Sequence, residues 1–164
     1  MFHNMVRSWF QDSAADYNDF VKALLLDDCD AMNEYLSRVT LNTFSYFDAG
    51  NRPSGEEPER FYHGFVLGLL VELQQEYIIL SNHESGFGRY DVIIEPKDDR
   101  RDAIILEFKV FNQRKESCLE DTVAAALKQI EDKKYAVYLE TRGIPKERIR
   151  KYGIAFQGKN VLMG

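Results

Sequence analysis

At 164 residues, with 45% hydrophobic and 29% charged side chains, the chain is long enough for one domain with a proper core and has an ordinary soluble, globular composition. The net charge of −6 argues against a simple nucleic-acid binder, but all the excess acid lies in residues 1–58, with 4 Lys/Arg against 10 Asp/Glu. Residues 59–164 carry 17 of each and leave room for a local basic surface.

The first residues, Met1 to Arg7, lack the basic-then-apolar order of a secretory signal. Asp16 to Leu26 reads as a helix, with Tyr17, Phe20, Val21, Leu24 and Leu25 at helical spacing; Asp27 and Asp28 read as a stop and a new cap. A second helix is predicted from about Asp30 to Phe47, burying Met32, Tyr35, Leu36 and Val39. Together they form an acidic N-terminal helical subdomain with no evident chemistry. Cys29 and Cys118 stand far apart and near no other soft ligands, which argues against a disulfide framework and a zinc site and makes a reducing cytoplasm the expected compartment.

Asp48 to Pro58, with Gly50, Pro53, Gly55 and Pro58 among polar residues, marks a linker, so the domains are placed at 1–58 and 59–164. Glu59 to Tyr77 reads as the longest apolar helix, in which Gly64 and Gly68 would give a smooth face for close packing on a sheet. The longest apolar run, residues 61–73, contains His63 and Glu72 and is too short to span a bilayer, so no membrane partner is expected. Tyr77 to Ser81 is a short strand and His83 to Gly88 a turn. Leu119 to Tyr135 is a helix with Leu119, Val123, Ala126, Leu127 and Ile130 inward, and Tyr152–Phe156 and Asn160–Met163 are strands joined at Gly158. The order predicts an α/β fold with a mixed central sheet flanked by helices. Gly153 to Lys159 mimics the start of a phosphate-binding loop, but Asn160 stands where Ser or Thr is required and apolar residues fill the loop, so it reads as strand and turn.

The informative stretch lies between. Gly88 to Asp91 and Ile104 to Val110 frame the polar turn Pro96 to Asp102, and they carry Asp91, Glu107 and Lys109 inside otherwise apolar strands. Charge removed from water is tolerated when it is paired, hydrogen-bonded or metal-bound. A hairpin centred on Asp99 makes Asp91 and Glu107 direct cross-strand neighbours, with Cβ atoms roughly 4.5–5.5 Å apart, and alternation puts Lys109 on the face of Glu107. A structural ion-pair cluster is one reading. The one we favour is a site for Mg²⁺ or Mn²⁺, at which water attacks phosphorus and Lys109 orients that water or stabilises developing charge.

Asp91 followed by Glu107-Phe108-Lys109 resembles the signature of the PD-(D/E)XK nuclease superfamily. Phe61 to Phe65, Ser85 to Asp91, Gln129-Ile130 with Tyr135, and Tyr152 to Phe156 look like the PD-(D/E)XK domain at the C-terminus of bacterial AAA-ATPase-like proteins. Tyr90 replaces the usual Pro without removing a ligand. The resemblance implies a restriction-endonuclease-like core and a metal-dependent nuclease acting on nucleic acid, with DNA the expected substrate. Asp91, Glu107 and the main-chain carbonyl of Phe108 would hold Mg²⁺ or Mn²⁺. It also implies a further acidic contribution from the first core helix, where Glu59 and His63 lie one turn apart, and a catalytic-site role for Gln129 with Tyr135 as its companion. Tyr135, Arg89 and Ser85 form the nucleic-acid-binding set, the last two through charge and free backbone N–H groups unless they belong to a plain turn. Arg114, Lys115, Lys128, Lys133, Lys134, Arg148, Arg150 and Lys151 are the candidate DNA-tracking surface. The resemblance implies an ATPase-like region N-terminal in a longer protein and leaves a homo-oligomer open. The competing function is a catalytically silent nuclease-like domain that binds or assembles with such an ATPase module.

Overall fold

The computed structural model describes residues 14–44, 57–84 and 89–164, with side chains described over 19–42, 61–81 and 91–164. Helices α1 (Ala14–Leu25) and α2 (Cys29–Phe44) come first. Phe20, Val21 and Leu24 of α1 and Met32, Tyr35 and Leu36 of α2 recur at three- and four-residue spacing and are buried, which is why both segments take up a helix with one inward stripe. Asp27 lies at φ 58°, and the Asp28 carboxylate accepts from the Ala31 N–H at 3.0 Å, capping α2. Residues 48–56 of the predicted linker 48–58 and the predicted end of this helix at Phe47 fall outside the described residues, while Glu57 and Pro58, predicted as linker, already belong to the next helix.

Helix α3 (Glu57–Leu70) gives way to a 3₁₀ turn at Val71–Gln75, so the α-helix is shorter than the predicted span to Tyr77. Lys97 closes the end of that turn: its Nζ donates to the carbonyls of Gln74 at 2.8 Å and Gln75 at 3.3 Å, satisfying acceptors a helix end leaves open. Tyr62, Phe65, Val66 and Leu69 are buried, whereas Gly64 and Gly68 are half-buried. The large apolar side chains, and not the glycines, make the packed face.

Five strands follow: β1 (Tyr77–Glu84), β2 (Arg89–Pro96), β3 (Ala103–Val110), β4 (Ile149–Gln157) and β5 (Asn160–Met163). They lie in the order β1-β2-β3-β4-β5, antiparallel except for β3 beside β4. The parallel step requires a crossover, which carries α4 (Leu119–Asp132) and α5 (Tyr135–Thr141). This is the mixed α/β sheet with flanking helices expected of a restriction-endonuclease-like core. Strand β1 runs three residues beyond the predicted Ser81, and the predicted phosphate-loop mimic is the β4–β5 hairpin, turning at Gly158 with φ 57°.

Alternation divides the sheet into two faces. Val92, Ile94, Ile104, Leu106, Phe108, Tyr152, Ile154 and Phe156 join α1, α2 and α3 in one continuous core. Ile93, Ala103 and Ile105 join Ile130 of α4 and Ala136 and Leu139 of α5 in a second. The N-terminal helices are also tied by polar bonds: Arg150 donates to the Leu24 carbonyl at 2.8 Å, and Asn33 brackets the Met163 backbone with two bonds of 2.7 Å. The Tyr152 hydroxyl, pushed up to about 12 mainly by burial, stays protonated and donates to Asp27. No helix among the described residues is long and apolar enough to cross a membrane.

Candidate active site

Asp91 and Glu107 are direct partners across β2 and β3, the register that a turn centred on Asp99 demands. Their side chains are 2% and 1% exposed and point to the face covered by α4 and α5, since they alternate with Val92, Leu106 and Phe108 on the opposite face. Two unit charges about 5 Å apart repel by roughly 3 kcal/mol at an effective dielectric constant of about 20, so the fold must compensate the pair.

Each helix over this face supplies one donor. Gln129 of α4 donates from Nε2 to Glu107 Oε1 at 2.6 Å, and Tyr135, the first residue of α5, donates its hydroxyl to Asp91 Oδ2. Both donors are neutral: they fix the carboxylates' orientation without cancelling charge. Asp91 Oδ1 is buried and accepts no hydrogen bond among the described residues. A hard cation fits that orphaned oxygen, because carboxylate oxygens are its preferred ligands. Among the described residues no three His, Cys, Asp or Glu side chains converge; those that face one another here offer two carboxylates, to which carbonyl and water oxygens could be added. That suits magnesium, which keeps several waters. Lys109 is half-buried, two residues along β3 on the same face, its backbone in the ladder opposite Ala155 and its ammonium in no hydrogen bond or ion pair among the described residues.

Other expected contributors are placed differently. His63 does not reach the carboxylates: its Nε2 lies 2.9 Å from Ser81 Oγ and its ring stands edge-on to Phe108, with centroids 5.6 Å apart, on the opposite face of the sheet. Helical geometry causes this, because His63 shares α3 with the core residues Tyr62 and Val66. Glu59 lies one turn earlier on α3, and its side chain is outside the described residues, as are Ser85 and the side chain of Arg89, whose backbone begins β2.

Much of the expected basic surface is already engaged. Lys128 pairs with Asp132 at 2.6 Å and Lys151 with Glu131 at 2.5 Å. Arg148 and Arg150 reach Asp102 at 3.6 and 3.3 Å, bracing the β2–β3 turn. Lys133 lies over the Tyr135 ring at 5.6 Å. Arg114, Lys115 and Lys134 are exposed.

One buried acid escaped the sequence reading. Glu95 of β2 is 5% exposed on the face of Asp91, where it accepts from Arg142 Nε at 2.9 Å and from the Tyr138 hydroxyl at 3.2 Å. The Arg142 guanidinium is held charged more firmly by that bond. The alternation Asp91, Ile93, Glu95 was the available signal.

The family model of the PD-(D/E)XK nuclease superfamily matches residues 57–164. No curated protein matches the chain.

Proposed function

Because the chain belongs to the PD-(D/E)XK nuclease superfamily, we propose that it hydrolyses phosphodiester bonds of nucleic acid, DNA in the first instance, in a reaction dependent on Mg²⁺ or Mn²⁺. The observation that carries this reading is the buried, directly opposed pair Asp91 and Glu107 with Lys109 on the same face. Asp91, Glu107 and the Phe108 main-chain carbonyl are the proposed metal ligands. A divalent cation held there would supply Lewis-acid stabilisation of negative charge on the phosphate and favour deprotonation of water. Gln129 and Tyr135 hold the carboxylates in place through the bonds described above. The Lys109 ammonium donates hydrogen bonds to the attacking water and to the charge that builds as the new O–P bond forms and the P–O ester bond breaks; the proton the water loses passes to bulk solvent, and the departing alkoxide takes one up from it, so the step balances.

Substrate phosphates would meet Arg114, Lys115 and Lys134, exposed members of the basic set, together with Arg89 at the start of β2 and Ser85 four residues before it in sequence. The helices α1 and α2 precede the matched residues, and we read them as the end of an ATPase-like region. The second reading, a silent nuclease-like domain that binds or assembles with such a region, draws support from the number of basic side chains engaged by acids of the chain itself. Incubation of plasmid and linear DNA with Mg²⁺ or Mn²⁺ separates the two. Cleavage that disappears in Asp91→Ala and Lys109→Ala supports the nuclease; cleavage that survives either substitution removes these roles, and Mn²⁺ binding without any cleavage favours the silent domain.

A further inference from the structure

Glu95 is a buried carboxylate for which hydrolysis has no use. It lies four residues from Asp91 on the same face of β2, about 13 Å along the strand. Arg142, which grips it, lies seven residues beyond Tyr135, about 10 Å along a helical path. Helix α5 is therefore fastened to one strand at two places: at its start through Tyr135 on Asp91, and on Glu95 through Tyr138 at its middle and Arg142 just past its end.

A seven-residue helix does not hold itself in place, since isolated helices of that length are unstable. The chain enters α5 through Lys134 in the left-handed conformation, φ 54°, so α5 is a separate short body and no continuation of α4. Ala136 and Leu139 seat it on the sheet, but apolar packing is non-directional and does not set where a phenol oxygen falls along β2. The Glu95 bonds do set it. An apolar residue of similar size at position 95 would avoid the desolvation cost of a buried carboxylate; the acid supplies direction.

We propose that Glu95 is a positioning residue: by anchoring α5 through Tyr138 and Arg142 it places the Tyr135 hydroxyl on Asp91 and so sets the geometry of the carboxylate pair for a divalent cation. The proposal rests on the metal-dependent reading of that pair. It predicts that Glu95, remote from the ligands, controls metal affinity, and does so only through Tyr135.

Calorimetric titration of the full chain with Mn²⁺ tests this, using Glu95→Leu, Arg142→Gln, Tyr135→Phe and the double variant Glu95→Leu/Tyr135→Phe. Glu95→Leu returns the exposed partners Tyr138 and Arg142 to water without leaving a buried orphan, and Arg142→Gln probes the same anchor from the exposed side should position 95 prove essential for folding. Each single substitution is expected to weaken Mn²⁺ binding about tenfold, the lower end of the range for residues that orient metal ligands. Adding Glu95→Leu to Tyr135→Phe should change the affinity less than about twofold, because the path through Tyr135 is already cut. Unaltered affinity in Glu95→Leu or Arg142→Gln, or losses that multiply in the double variant, would overturn the proposal while the metal site stands. Absence of Mn²⁺ binding by the unsubstituted chain would overturn the metal-dependent reading itself and this proposal with it.

Discussion

Asp91 and Glu107 are held in an arrangement that costs stability when no cation is present. Each carboxylate is nearly inaccessible to water, and the donors Gln129 and Tyr135 bring no charge, so these two bonds leave the mutual repulsion of the pair in place. Asp91→Asn should accordingly raise the stability of that chain, by about 1–3 kcal/mol, since an amide still accepts from Tyr135 and carries no charge. The same variant should lose the stabilisation that Mn²⁺ gives the unsubstituted chain through mass action. Thermal unfolding with and without Mn²⁺ measures both effects, and a metal-free Asp91→Asn chain less stable than the original would contradict the account. The pair was legible in the sequence because charge inside an apolar strand is rare and because strand register follows from the turn. Glu95 was less legible, since its value depends on Arg142, a residue 47 positions away.

Between elements, the site depends on how closely α4 approaches β4. Gly153 of β4 lies beneath that helix, and a Cβ there would fall 2.8 Å from the Val123 carbonyl oxygen and 2.9 Å from Ala126 Cβ. Neither neighbour has a flexible end that swings aside, so Gly153→Ala must push α4 away from the sheet, and Gln129 with it. A loss of about 1–3 kcal/mol in denaturant unfolding is expected, as for other overpacked interiors, together with weaker Mn²⁺ binding; an unchanged midpoint would show that α4 is not seated as described. The hairpin β2–β3 and helix α4 could be read from alternation and helical spacing. The break between α4 and α5 could not: no Gly or Pro marks it, and the left-handed turn falls on Lys134, a residue whose local preference gives no such signal. Lys134→Val should cost about 1–2 kcal/mol in the same assay, whereas Lys134→Gly should be close to neutral.

Across the whole molecule, the acidic helices and the sheet share one core. Phe20, Leu24, Met32 and Leu36 are fully buried in the cluster that holds Leu106, Phe108 and Phe156, and Arg150 and Asn33 add bonds to the backbones of α1 and β5. A chain cut to residues 57–164 would expose that apolar surface, so it should unfold at lower denaturant concentration and aggregate in size-exclusion chromatography; retention of full stability would show that the helices contribute nothing to the core. Helical spacing identified these helices, and composition their charge, but neither gave a sign of this docking, because an inward stripe specifies that a helix is covered and not what covers it. The same limit applied to His63, whose place on the opposite face follows from packing against Phe108. The family match and the opposed carboxylates meet in one claim, that this assembled core cleaves a phosphodiester with Lys109 acting on the reacting water and phosphate. Its most direct test is Mn²⁺ titration and DNA cleavage measured side by side on the full chain and on Lys109→Ala. Both proteins should bind Mn²⁺ with similar affinity, and Lys109→Ala should lose cleavage by at least about a hundredfold; cleavage by Lys109→Ala at the original rate would overturn the claim.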